Sequence, residues 1–196
     1  MLAQDTAVLH ERAMDNLRFI RETMERATAF TAVPGWGLVA IGVTALCAAG
    51  VASLQATARA WLLVWALEAS AAVMIAGWTM RRKARRAAGP LFSTPGRKFA
   101  LSFCPPVLAG AVLTVVLARS GTLGVLPGVW LLSYGAAVVA AGAFSVSIVP
   151  VMGLCFMTIG CVALLGPASW EAPLLALGFG GLHLVFGAII ARNYGG

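Results

Sequence analysis

Apolar positions in this chain come in long, nearly unbroken runs separated by short polar punctuation. Runs near twenty residues are the length at which an α-helix crosses the hydrocarbon core of a bilayer. The pattern predicts a first span over about 34–51, with Trp36 near its start, and a second over about 60–80. A third covers about 99–118, with Arg119 at its end. No charge then occurs from Ser120 to Trp170. That stretch is too long for one crossing and suits two with a tight turn between them. Pro127-Gly128 marks the start of span four, Gly142 to Pro150 the turn, and about 147–166 span five. Span six runs over about 173–191 and ends at Arg192. The alternation of a transmembrane barrel strand is missing. The expected fold is therefore all-α, a polytopic six-helix transmembrane bundle occupying 31–196.

The first thirty residues have a different period. Met14, Leu17, Ile20 and Met24 recur at three- and four-residue spacing and form one apolar stripe of a helix expected over about Asp5 to Thr28. Arg18–Glu22, Arg21–Glu25 and Glu22–Arg26 fall at i,i+4 on the other faces. The five acids there, Asp5, Glu11, Asp15, Glu22 and Glu25, argue against a transit peptide. The region also lacks the short apolar core of a secretory signal. A cytoplasmic or interfacial amphipathic helix is expected, lying on the membrane, on its own bundle or on a partner.

Composition agrees with this pattern: 60% of the 196 residues are hydrophobic and 11% charged. The net charge of +7 changes the picture only through its location. Seven cations and no acid fall between Arg81 and Lys98, namely Arg81, Arg82, Lys83, Arg85, Arg86, Arg97 and Lys98. A basic loop directly after an apolar span is a topology signal that meets anionic lipid headgroups, so no nucleic-acid partner is expected. With both termini and this loop in the cytoplasm, only Arg59 and Arg119 of the fourteen Lys and Arg fall outside. A multi-pass protein of the cell membrane is expected, with a protein partner or a second copy of the chain as further contacts.

Cys47, Cys104, Cys155 and Cys161 lie in or beside apolar segments and form no CxxC, so they read as small packing residues. A threefold pattern runs through the odd spans. Pro34, Pro105 and Pro150 are each followed sixteen residues later by Gly50, Gly121 and Gly166, with Thr44, Thr114 and Thr158 between them. Trp61, Trp130 and Trp170 lead the even spans, which suggests three pseudo-repeated helical hairpins.

Candidate chemistry is sparse. Glu68 is the one acid well inside an apolar run, about 3 Å from the middle of its span at 1.5 Å per residue. A charged carboxylate there costs roughly 2.5–3.5 kcal/mol on insertion scales, so it has to be paired, wetted or protonated. His183 and Tyr134 lie near the same depth in spans six and four. All three spans run in one direction, so Glu68, Tyr134 and His183 could converge on one intramembrane polar cluster. Two histidines cannot build a multi-His metal site, and no nucleotide or nucleophile-elbow fingerprint occurs. No catalytic residue, metal or cofactor is expected. The leading functional expectation is a non-enzymatic accessory or regulatory subunit acting through its cytoplasmic helix and basic loop. The alternative is a small-solute or proton-coupled transporter, or a substrate-binding transporter subunit, that uses the polar cluster.

Overall fold

The computed structural model describes residues 30–86 and 94–194, together with Arg12, Met14, Asn16, Leu17 and Ile20. Those five residues are helical and exposed; the rest of the expected N-terminal helix lies outside the described residues. Six helices are long and apolar enough to cross a membrane: α1 (Gly35–Ser53), α2 (Ala58–Arg86), α3 (Thr94–Ser120), α4 (Leu123–Gly142), α5 (Ile148–Leu165) and α6 (Ala168–Asn193). Among the described residues there is no strand, only an isolated bridge between Phe30 and Ser145. All six sit where the apolar runs predict them.

The basic segment differs from the expected loop. Arg81 to Arg86 continue α2 as helix, and helix resumes at Thr94, so Arg97 and Lys98 are helical too. Arg, Lys and Ala are strong helix formers, and cations at a helix C-terminus meet its partial negative charge. Residues 87–93 lie outside the described residues. In α3 the helix runs through Pro105-Pro106, although each proline lacks the N–H that would bond four residues back.

Glycine decides which helices lie closest. On α4, Gly128, Gly135 and Gly142 recur every seventh residue; on α5, Gly153 and Gly160 do the same. Seven residues are close to two turns, so each set lines one face. A Cβ on Gly153 would stand 2.7 Å from the Val139 nitrogen and 2.8 Å from the Gly135 oxygen. A Cβ on Gly135 would stand 2.8 Å from the Gly153 oxygen and the Met157 nitrogen. Backbone therefore lies against backbone. The same device joins α1 to α6: a Cβ on Gly42 would meet the Gly180 oxygen at 2.9 Å, and one on Gly187 the Gly35 oxygen at 2.9 Å. Small residues at these contacts let the helices approach closely enough for extended van der Waals packing.

The two remaining helices are outriggers. α2 packs along α1, and α3 along α4, but α2 and α3 do not pack along each other. Leu63, Leu67, Val73, Met74 and Trp78 of α2 are exposed, as are Leu101, Leu108, Val112 and Val116 of α3. The largest interfaces are thus α4/α5 and α1/α6, neither of which is one of the three hairpins suggested by the repeat. The repeat's prolines also hold unequal places. Pro34 is the N-cap of α1 and Pro150 lies in the first turn of α5, whereas Pro105 lies about three turns into α3.

The basic end of the bundle is stitched together. The Phe30 amide donates to the Phe144 carbonyl at 2.7 Å, and Ser145 Oγ donates back to the Phe30 carbonyl at 2.7 Å. Lys83 Nζ donates to the carbonyls of Val33 and Tyr194, each at 2.9 Å. One ammonium thus fastens the entry of α1 and the exit of α6 to the end of α2.

Candidate functional site

Two of the three residues expected to form a polar cluster meet, and the third is held separately. Tyr134 of α4 and His183 of α6 are 2.8 Å apart, Oη to Nε2. His183 Nδ1 lies 2.9 Å from the Phe179 carbonyl. A carbonyl can only accept, so Nδ1 carries the proton, Nε2 is the acceptor of the neutral ring, and the Tyr134 hydroxyl donates to it.

The local backbone explains why Phe179 offers its carbonyl. Residues Ala176–Leu182 form a stretch of π-helix, whose wider turn takes the backbone out of the i→i−4 pattern. The His183 amide bonds to the Gly180 carbonyl instead of to Phe179. The imidazole then occupies the Phe179 acceptor from the side. The Gly178–Gly187 series permits this stretch to lie against α1 and α4: Gly178 is against Leu131, Gly180 against Leu46.

His183 is only 1% exposed. Phe156 stands 5.3 Å from its ring and Phe179 lies stacked at 6.4 Å. Tyr134 is further enclosed by edge contacts to Phe103, Phe156 and Phe179. Both ring nitrogens and the phenol are satisfied inside a shell of aromatic rings. In chemical terms this is a closed polar pair, with each donor matched to an acceptor.

Glu68 is on a different face of the assembly. It is half-buried on α2, and Thr44 Oγ1 of α1 lies 2.9 Å from its Oε1. The same hydroxyl lies 3.0 Å from the Ile41 carbonyl. Among the described residues no hydrogen bond joins Glu68 to Tyr134 or His183, and none reaches Glu68 Oε2. One turn earlier, Trp65 is 6% exposed and its Nε1 is buried with no hydrogen-bond partner.

Rings fill the space that helix packing leaves open between α2 and the α3/α4 pair. Trp61 stacks on Trp130 at 5.4 Å, and Trp65 contacts Trp130 at 6.4 Å and Phe179 at 6.1 Å. From Phe179 the run continues through Tyr134, Phe103 and Phe99 to Phe30, with centroid separations from 4.7 to 6.1 Å. Trp130 Nε1 is satisfied by Thr114 Oγ1 at 2.7 Å. Aromatic pairs of this kind contribute about 0.5–1.5 kcal/mol each beyond the area they bury.

Of the seven cations marked in the sequence, Arg81, Arg82, Arg85, Arg86, Arg97 and Lys98 are exposed, and Lys83 turns inward to the two carbonyls. Arg82 lies over the Trp78 ring at 5.4 Å and Lys98 over Phe144 at 5.8 Å. The inward turn of Lys83 has a sequence signal. Trp65, Glu68, Ala72, Ile75, Thr79 and Lys83 follow each other at three- and four-residue steps and share the face that packs on α1. Thr44 carried only a position in the repeat pattern; nothing in that pattern marks it as the partner of Glu68. Among the described residues there is no group of three His, Cys, Asp or Glu that could hold a metal ion. Compared with protein-family models, curated proteins and solved structures, the chain matches none.

Proposed function

We propose that the protein is a polytopic protein of the cell membrane that acts as a non-enzymatic accessory or regulatory subunit. Its working surface is the basic end, with the N-terminal helix and the cations at Arg81, Arg82, Arg85, Arg86, Arg97 and Lys98. In this reading that end and both termini face the cytoplasm, because twelve of the fourteen Lys and Arg then lie inside. The observation that carries it is the contrast in polar groups. Tyr134 and His183 are matched to one another inside the bundle, whereas six cations at one end are exposed. Met14, Leu17 and Ile20 of the N-terminal stripe are also exposed, which supports a surface that contacts something other than its own bundle. Anionic headgroups and a protein partner are the contacts this surface suits.

The test is co-elution from native membranes in mild detergent. The full chain is expected to elute in a larger assembly. The variant Arg81→Gln/Arg82→Gln/Arg85→Gln/Arg86→Gln is expected to elute as the free chain with unchanged thermal stability. Elution of the full chain alone would count against the proposal.

A second reading, small-solute or proton-coupled transport or substrate capture for a transporter, is favoured by one observation. Trp65 Nε1 and Glu68 Oε2 lie about one turn apart on α2, and neither has a partner among the described residues. Unchanged uptake and unchanged ligand-induced stabilisation in Glu68→Gln and His183→Ala would remove it.

A further inference from the structure

We propose that Glu68 and Thr44 form a proton-binding site that serves both charge states of the carboxyl, separate from the Tyr134–His183 pair and independent of the accessory reading. The argument rests on one hydroxyl placed between two acceptors. Thr44 Oγ1 lies 2.9 Å from Glu68 Oε1 and 3.0 Å from the Ile41 carbonyl, and it has a single proton. With Glu68 ionised, the hydroxyl donates to the carboxylate. With Glu68 protonated, the carboxylic acid donates to Thr44 Oγ1, and the Thr44 proton turns to the Ile41 carbonyl. Each donor of the Glu68–Thr44–Ile41 set has an acceptor in either state, and the change needs only a rotation about the Thr44 Cβ–Oγ1 bond.

The surroundings leave the proton as the species that sets the charge of Glu68. The helix it packs on, α1, has no Asp, Glu, His, Lys or Arg; Cys47 is its one titratable side chain and is exposed. On α2 the nearest charges are Arg59 and Arg81, about 13 Å and 20 Å away along the helix. Trp65, on the same face, reaches α4 and α6. α4 offers no charge, and Tyr134 is its one titratable group, while His183 of α6 is already bonded at both ring nitrogens. The charged residues of α6, Glu171 and Arg192, lie near its two ends. Among the described residues no cation stands close enough to hold a permanent carboxylate. Glu68 is half-buried, so a membrane-soluble reagent can reach it.

Dicyclohexylcarbodiimide tests this on the full chain in liposomes. A protonated carboxyl adds across one C=N bond of the reagent, its proton passing to nitrogen, and acyl migration leaves a stable N-acylurea of known mass. Labelling of the Glu68 peptide is read by mass spectrometry as the fraction of that peptide carrying the adduct against time. Glu68 is expected to label at pH 6 and at least tenfold more slowly at pH 9, with no adduct on that peptide in Glu68→Gln. Thr44→Val removes the donor that holds the carboxylate, and is expected to label about tenfold faster than the parent at pH 8. Thr44→Ser keeps the hydroxyl and the parent profile. No adduct at either pH, or equal rates at pH 6 and pH 9, overturns the site. Parent-like rates in Thr44→Val overturn the role of the hydroxyl, and Thr44→Ala, which also lacks it, reads that role independently if the valine variant does not fold.

Discussion

Along α4 and α5 the closest approaches are made by glycine, with backbone against backbone. Across the bundle, α2 meets its neighbours through tryptophan rings, the Glu68–Thr44 bond and the Lys83 clasp. The protein has no room for change at the first kind of contact and some at the second. At Gly153 a single methyl would stand 2.7 Å from the Val139 nitrogen, and neither helix can give way without moving the other. At Gly77 and Gly50 an added Cβ meets nothing within 4 Å. The inner pairs α1/α6 and α4/α5 are set by backbone against backbone, whereas α2 and α3 meet their neighbours through side chains, including Thr79 against Gly37 and Ser133 against Gly110.

The largest expected effect lies in the inner pairs. Gly153→Ala overpacks a backbone contact and is expected to cost roughly 1–3 kcal/mol, with Gly153→Val worse. Thermal unfolding in detergent checks this, and a tolerated valine would dismantle the distinction between inner and outer helices. Next comes the aromatic shell. Tyr134→Phe leaves His183 Nε2 buried with no donor, at a cost of about 1–3 kcal/mol. The same melting experiment, run beside the glycine variants, ranks the two.

The clasp at the basic end should matter less. Lys83→Met keeps the stem but loses the bonds to Val33 and Tyr194, one of them at an exposed position, so about 1 kcal/mol is expected. A spin label or fluorophore at Tyr194 should report a looser C-terminus in that variant. Smallest of all, Gly77→Ala should stay within about 0.5 kcal/mol of the parent, as substitutions away from packed features do. A large loss there would mean that α2 has a close neighbour not seen in the monomer.

The six apolar helices could be read from the sequence to within six residues at their ends, because length and uninterrupted hydrophobicity are local properties. The seventh-residue glycines were also there to be read at 128, 135 and 142. What they do not say is that their partners are Gly153 and Gly160 on α5, since pairing depends on where the other helices go. The extension of α2 through Arg86 follows from the helix propensity of Arg, Lys and Ala, against the expectation that a charge cluster marks a loop. Tyr134 and His183 were placed at a common depth by counting 1.5 Å per residue, and they meet. Glu68 shares that depth but is held by Thr44 on the neighbouring helix, because depth fixes one coordinate and the rotation of α2 fixes the other. The π-helical stretch before His183 had no signal in residue type or spacing beyond its glycines.

In the proposed function the apolar interior is a closed support and the work is done at the basic end. The most direct measurement compares two variants in one co-elution experiment from native membranes, at matched expression. Tyr134→Phe, with its interior bond removed, is expected to stay in the larger assembly while melting at a lower temperature. The fourfold Arg→Gln variant at residues 81, 82, 85 and 86 is expected to melt like the parent and to leave the assembly. The reverse result, with assembly lost in folded Tyr134→Phe and kept in the arginine variant, would contradict the claim.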